Sequence, residues 1–313
     1  MALSIFSSEK RVSLSLGVLL TGVILIALLN VGLHILKSAS GDPKEQEKKF
    51  LQCKINPGQR YDMVLLGDSR CLTGVDPSIL EKRLSLRVYN DSFSGGGLNQ
   101  TIYTHVQKNI LKTSPEKIRA VIFCITPLTL SSAGRENKAY YQIIGEMKQK
   151  QDLFTQYGSL LFKRIRTREI KAVFRKKKPD YVYHKNGYLE RFSIAKAKAQ
   201  RNGMRQYKVM FSSLTFPEIS LKELAEQTRQ WRKENIAVFA FYPPSRPAME
   251  DLERNSAWDW KKTIQVFREA GGIYLEIDNR DQYNAYDSIH LASGDSKKLS
   301  EDLAKKMERY LKK

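Results

Sequence analysis

The chain reads as an α/β protein whose core is a mostly parallel five-stranded sheet covered by helices on both faces. Three observations predict this. Five short apolar runs, Tyr61–Gly67, Leu86–Asn90, Ala120–Ile125, Ile236–Tyr242 and Ile273–Ile277, recur with helix-periodic stretches between them. The third run carries no polar residue before Thr126, which suits a strand buried on both faces. Glycines or prolines stop several runs at their carboxyl ends, as at Gly67, Ser94–Gly97 and Pro243-Pro244.

Taken in order, residues 1–11 form a short tail. Val12–Leu36 contains no Asp, Glu, Lys or Arg, and exceeds the roughly 20 residues that cross a bilayer core. It is too long for the apolar part of a signal peptide, usually about 7–15 residues, and is read as an uncleaved transmembrane anchor. Lys10 and Arg11 precede it, while Lys37, Lys44, Lys48 and Lys49 follow, so the positive-inside count does not set its orientation. The short tail suits a signal anchor with the large domain on the extracytoplasmic side. Residues 37–60, charged and broken by Gly41-Asp42-Pro43 and Pro57-Gly58, read as a linker.

The domain then spans 61–313. After the first strand, Asp76-Pro77 supplies an N-cap and a first-turn proline for a helix through Leu84. Leu98, Ile102, Val106 and Ile110 share one face of the helix that follows the second strand. A polar helix from Phe216 to about Glu234 leads into the fourth strand. One carrying Trp258, Trp260, Ile264 and Phe267 leads into the fifth, and a last helix covers about Ser296–Leu311.

Residues 133–212 interrupt the alternation and read as a helical insertion. They hold 20 Lys and Arg against 6 Asp and Glu, which is +14 of the chain's net +20. Such a run is most often a solvated face. Its sharper reading is a surface for acidic polymers or anionic lipid head groups. Nucleic acid ranks last, because no helix-turn-helix, zinc-finger or RNP pattern accompanies the charge. Cys53, Cys71 and Cys124 are odd in number and lack CxxC spacing, and the four histidines lack ligand spacing. No metal and no cofactor is expected.

Two short motifs carry chemistry. Gly67-Asp68-Ser69-Arg70 closes the first strand, and Asp287-Ser288-Ile289-His290 precedes the last helix. A serine needs a base, and the base needs a group that orients its ring. Ser69, His290 and Asp287 supply these parts, with the Asp–His contact made local by their spacing. The backbone N–H groups of Ser69 and Gly95 are the candidate oxyanion donors.

With these residues the chain resembles the SGNH (GDSL-type) hydrolase superfamily. Gly67-Asp68-Ser69 matches the first block of that family, Asn90-Asp91-Ser92-Phe93-Ser94-Gly95 its second, and Asp287 with His290 its fifth. The resemblance implies a flavodoxin-like three-layer sandwich, with Ser69 as nucleophile and Ser69 and Gly95 amides at the oxyanion. It departs at the third block, where the family carries an Asn and this chain reads Ile125-Thr126-Pro127-Leu128-Thr129.

The anchored layout resembles the SGNH-like domains of D-alanyl transfer to teichoic acid and of alginate O-acetylation. That resemblance implies a membrane-anchored serine esterase or O-acyltransferase acting on an ester of a cell-envelope polymer or lipid, with a membrane-bound O-acyltransferase as a partner. The competing reading is a non-catalytic envelope binding or scaffolding protein on the same frame.

Overall fold

The computed structural model describes residues 21–26, 28–30, 32, 43–111, 119–149, 180–192 and 197–311. The chain divides into two units, Met1–Lys48 with Gly145–Lys178, and Lys49–Ile144 with Pro179–Lys313. In the first, residues 21–26, 28–30 and 32 are helical. No helix among the described residues is long and apolar enough to cross a membrane, and the remainder of the 12–36 stretch lies outside them.

The second unit contains the sheet. Its strands are β1 (Met63–Leu66), β2 (Val88–Asn90), β3 (Arg119–Cys124), β6 (Ile236–Phe241) and β7 (Ile273–Tyr274), in the order β2-β1-β3-β6-β7. Every neighbouring pair is parallel, with Met63 opposite Val88 and Ala120, and Phe239 opposite Ile122 and Ile273. Counting sheet strands alone, the order is 2-1-3-4-5, a doubly wound topology whose direction reverses between β1 and β3. Ligands of such sheets sit beyond the carboxyl ends of the strands at that reversal.

The twofold period of a strand sorts the core into two faces. Met63, Leu65, Ile122 and Phe239 point to one side. There they meet the helices α2 (Ser69–Gly74), α3 (Pro77–Leu84) and α12 (Ser293–Leu311) through Cys71, Leu80, Leu299 and Leu303. Phe123 points to the other side and packs on Tyr103, Trp231 and Phe267 at ring distances of 5.8, 5.7 and 6.1 Å. Tyr103 itself reaches Phe123 and Trp231 from α4 (Gln100–His105), while Trp231 and Phe267 sit on α9 (Glu218–Lys233) and α11 (Trp260–Glu269). Asp76 caps α3 by accepting from the Ser78 N–H at 2.9 Å, with Pro77 in the first turn.

Two stretches differ from expectation. The segment read as a linker contains the helix α1 (Pro43–Ile55). Pro43 starts it, Phe50 and Lys54 are buried, and Glu47 and Lys49 are exposed, so these charges mark a helix's outer face rather than a stalk. The region read as a wholly helical insertion holds an antiparallel hairpin, β4 (Tyr181–Tyr183) with β5 (Leu189–Arg191). Its turn places Gly187 at φ +83°, and an added Cβ there would lie 2.1 Å from the Asn90 carbonyl oxygen. Only glycine allows that approach, and the Asn90 N–H donates to the Asn186 carbonyl at 2.9 Å. The rest of the insertion contributes α6 (Ser132–Arg135), α7 (Lys138–Gln149) and α8 (Ala197–Ser212), and residues 150–179, its densest positive run, lie outside the described residues.

Candidate active site

Ser69 is the first residue of α2, three residues past the end of β1, with Gly67 and Asp68 between. A Cβ at Gly67 would stand 2.8 Å from the Cys124 Cβ, so the strand-to-helix turn needs a residue without one. Asp68 caps the helix. One oxygen accepts from the Arg70 N–H at 2.9 Å and the other from the Thr126 hydroxyl at 2.7 Å. A first-turn N–H has no partner inside its own helix. That of Ser69 has no acceptor among the described residues.

His290 and Asp287 come to Ser69 from the loop before α12. His290 Nε2 lies 2.7 Å from Ser69 Oγ, and His290 Nδ1 lies 2.8 Å from Asp287 Oδ2. An ionised carboxylate only accepts, so Nδ1 carries the ring proton and Nε2 is left to accept from the Ser69 hydroxyl. Asp287 Oδ1 takes two further bonds, from the His290 and Ile289 backbone N–H groups at 3.0 and 3.3 Å. Burial pushes the Asp287 carboxyl up. The hydrogen bonds and charge of His290, with the two amides, outweigh it and hold the group below its ordinary range.

The loop is clamped on both sides of its turn. Tyr286 N–H donates to the His290 carbonyl at 2.8 Å, Ala285 bridges Leu291, and the Arg246 N–H donates to the Ser288 carbonyl at 3.0 Å. The Tyr286 ring lies nearly parallel to the imidazole, with centroids 5.8 Å apart. Ser288 is held at φ +94°, a region that serine rarely adopts, and its buried hydroxyl has no partner among the described residues.

Gly95 sits at φ +66° in the turn closed by the Gly96 N–H to Phe93 carbonyl bond, 2.9 Å long. The Phe93 N–H donates to the Gly67 carbonyl at 3.2 Å, which ties this turn to the residue two before Ser69. The third-strand turn is structural. Thr126 caps α5 (Pro127–Leu130), its hydroxyl donates to Asp68, and its N–H donates to Thr129 Oγ1 at 2.9 Å. Neither donor is free where the resembling family presents its Asn.

Two buried charge clusters support these turns. Arg70 donates to Glu253 at 2.7 Å and to the Pro243 carbonyl at 2.8 Å, with both charged groups fully enclosed. Burial works against the Arg70 charge, but Glu253 and Asp68 more than offset it. Lys54 donates to the Asn90 carbonyl, and its ammonium lies 5.1, 5.7 and 5.3 Å from the rings of Phe50, Tyr89 and Phe93. Burial pulls its pKa down to about 8 against the attraction of Asp91, while burial pushes the Asp91 carboxyl well above its ordinary range. The Asn90 side chain then bonds the Cys71 and Val75 carbonyls at 2.9 and 3.2 Å, linking this cluster to α2.

Sequence reasoning passed over Lys54 and Glu253, because nothing local signals pairing across tens or hundreds of residues. A cavity of about 410 Å³, lined by residues including Thr104, His105 and Tyr140, contains none of the three triad residues. Among the described residues no group of His, Cys, Asp and Glu could hold a metal ion.

No family profile matches the chain, and no curated protein matches it in sequence. Among solved structures, it is similar to a protein from Agrobacterium tumefaciens str. C58 that is provisionally named an arylesterase. The two are 11% identical with a TM-score of 0.33, over 79% of this chain and 99% of that one.

Proposed function

We propose that this chain is a serine esterase or O-acyltransferase and a distant member of the SGNH superfamily. The observation that carries the reading is the continuous hydrogen-bonded series Ser69–His290–Asp287 beyond the end of β1, beside the reversal point of the sheet. Ser69 Oγ attacks the ester carbonyl carbon as its proton passes to His290 Nε2. Asp287 keeps the ring oriented and stabilises the imidazolium. The new oxyanion takes hydrogen bonds from the Ser69 and Gly95 N–H groups. Collapse breaks the ester C–O bond, and the departing alkoxide takes the proton from His290. Water or a sugar hydroxyl then gives its proton to His290 and attacks the acyl-serine; the acyl–Oγ bond breaks, and Ser69 Oγ takes that proton back from His290, which restores the site.

The apolar and basic stretches of the sequence support an envelope role for this enzyme. The apolar stretch 12–36 anchors the chain as a single-pass membrane protein, with residues 61–313 on the extracytoplasmic side. The basic insertion 133–212 holds an acidic polymer or anionic lipid head groups, and a membrane-bound O-acyltransferase supplies or receives the acyl group.

The test is turnover by the full chain in detergent, first of p-nitrophenyl acetate and then of an O-acetylated acidic polysaccharide. Acetate release or transfer that disappears in Ser69→Ala supports the enzyme. The commitment of both Thr126 donors favours a second reading, a binding or scaffolding protein on this frame. Polysaccharide binding without turnover, unchanged in Ser69→Ala, selects that second reading.

A further inference from the structure

α8, the last helix of the basic insertion, presses directly on the loop that holds the candidate triad's acid and base. Gly203 lies inside this helix, where glycine costs roughly 1 kcal/mol relative to alanine, so its presence needs a reason. A Cβ at Gly203 would stand 2.8 Å from the backbone carbonyl oxygen of Asp287. Carbon and oxygen in ordinary contact are about 3.3–3.6 Å apart, so even one methyl group would push the helix and the loop apart by roughly half an ångström.

The same face of α8 carries Met204, Tyr207 and Phe211. These pack in one apolar cluster with Met249 of α10 (Pro247–Arg254) and with Ile289, which lies between Asp287 and His290. The helix therefore meets the loop at the Asp287 carbonyl and shares an apolar cluster with the Ile289 side chain. Ser288, between them, is the residue held at φ +94°.

We propose that α8 is a positioning element of the Ser69–His290–Asp287 site and acts through Gly203. This rests on the reading of the site as catalytic. In this role the helix presses the strained loop into the conformation in which Asp287 Oδ2 meets His290 Nδ1. The basic insertion is then part of the catalytic frame as well as a candidate polymer surface, and its last helix can pass a displacement to the acid–base pair.

The experiment compares full-length parent, Gly203→Ala, Ile289→Ala and Asn202→Ala. Asn202 is exposed on the same helix, and its variant gains helix propensity without touching the loop. The first readout is the low-field proton resonance of His290 Nδ1–H, identified by its loss in His290→Ala. The second is kcat and KM for p-nitrophenyl acetate.

Gly203→Ala is expected to move or broaden that resonance and to lower kcat about ten- to a hundredfold at nearly constant KM. Asn202→Ala matches the parent in both. Ile289→Ala, which removes the apolar grip without adding bulk, is expected to move the resonance in the same sense, and it decides the matter if Gly203→Ala does not fold. An unmoved resonance in folded Gly203→Ala, or in Ile289→Ala where the former does not fold, overturns the proposal. A parent that shows the resonance but turns over no ester removes the catalytic reading, while the resonance still decides whether α8 positions the pair.

Discussion

Replacing Asp287 with Asn keeps the size of the side chain, removes its charge and reverses the direction of a hydrogen bond. Asp287 Oδ1 accepts from the backbone N–H groups of His290 and Ile289 at 3.0 and 3.3 Å. An Asn at this position has one acceptor oxygen, and these two fixed donors claim it. Its NH2 group then occupies the place of Oδ2, 2.8 Å from His290 Nδ1. An NH2 can only donate, so Nδ1 becomes the acceptor and the ring proton moves to Nε2.

Nε2–H then points at Ser69 Oγ from 2.7 Å and can no longer take the serine's proton. A triad held in the wrong tautomer loses roughly 10⁴ in kcat, or about 5 kcal/mol of transition-state stabilisation. The assay is hydrolysis of p-nitrophenyl acetate by the full chain, with the labelling rate of a fluorophosphonate as a second measure. The stability curve adds a check on sign. The Asp287 carboxyl is held below its ordinary range in the folded chain, so its contribution is full above about pH 4 and fades as pH falls. Parent and Asp287→Asn should therefore converge in stability toward acid pH. Activity within tenfold of the parent would refute the hydrogen-bond argument.

The other predictions concern the frame around the site. Lys54→Met removes the buried ammonium that donates to the Asn90 carbonyl and lies against the Phe50, Tyr89 and Phe93 rings, and should cost about 1–3 kcal/mol in urea unfolding; unchanged stability would contradict the weight given to these contacts. Because burial lowers the Lys54 pKa to about 8, the unfolded chain binds more protons above that value, so this group makes stability rise from pH 8 to 10.5, a slope that Lys54→Met removes. Ser288→Gly relieves the φ of +94° and removes an unpartnered buried hydroxyl, and should raise stability by about 1 kcal/mol; a lower melting temperature would show that the turn is not strained. Burial raises the Glu190 carboxyl, but Ser293 at 2.5 Å, Lys297 at 2.9 Å and His184 at 2.9 Å outweigh it and bring it to about 2. The stability lost in Glu190→Gln is therefore expected in full above pH 4.5 and to vanish as pH falls toward 2.

Four of the sheet strands were legible as short runs whose near-complete burial leaves little but apolar composition, whereas β7, half-buried and only Ile273–Tyr274 long, is shorter than the apolar run Ile273–Ile277 that signals it. The chemical motifs were legible because each is local. Gly67-Asp68-Ser69 follows a strand directly, and Asp287 and His290 stand three apart, so each half needs only one turn of chain. What brings the halves together, parallel pairing that sets β1 in mid-sheet, is long-range.

The hairpin Tyr181–Arg191 did carry a signal, the Asn186-Gly187 pair between alternating residues, but the basic composition around it suggested helix. α1 was masked by its charges and by Gly41-Asp42-Pro43, which reads equally as a turn and as a helix start. Lys54 and the Arg70–Glu253 pair left no trace. A buried charge is defined by the partner that meets it, and that partner lies far away in sequence.

The central claim is that His290 activates Ser69, and one measurement addresses it most directly. The full chain in detergent is treated with a fluorophosphonate serine probe and followed by intact mass and peptide mapping, beside Ser69→Ala and His290→Ala. The account predicts a single adduct on the peptide containing Ser69, absent in Ser69→Ala and suppressed in His290→Ala. A folded parent without an adduct, or one labelled equally in His290→Ala, would contradict it.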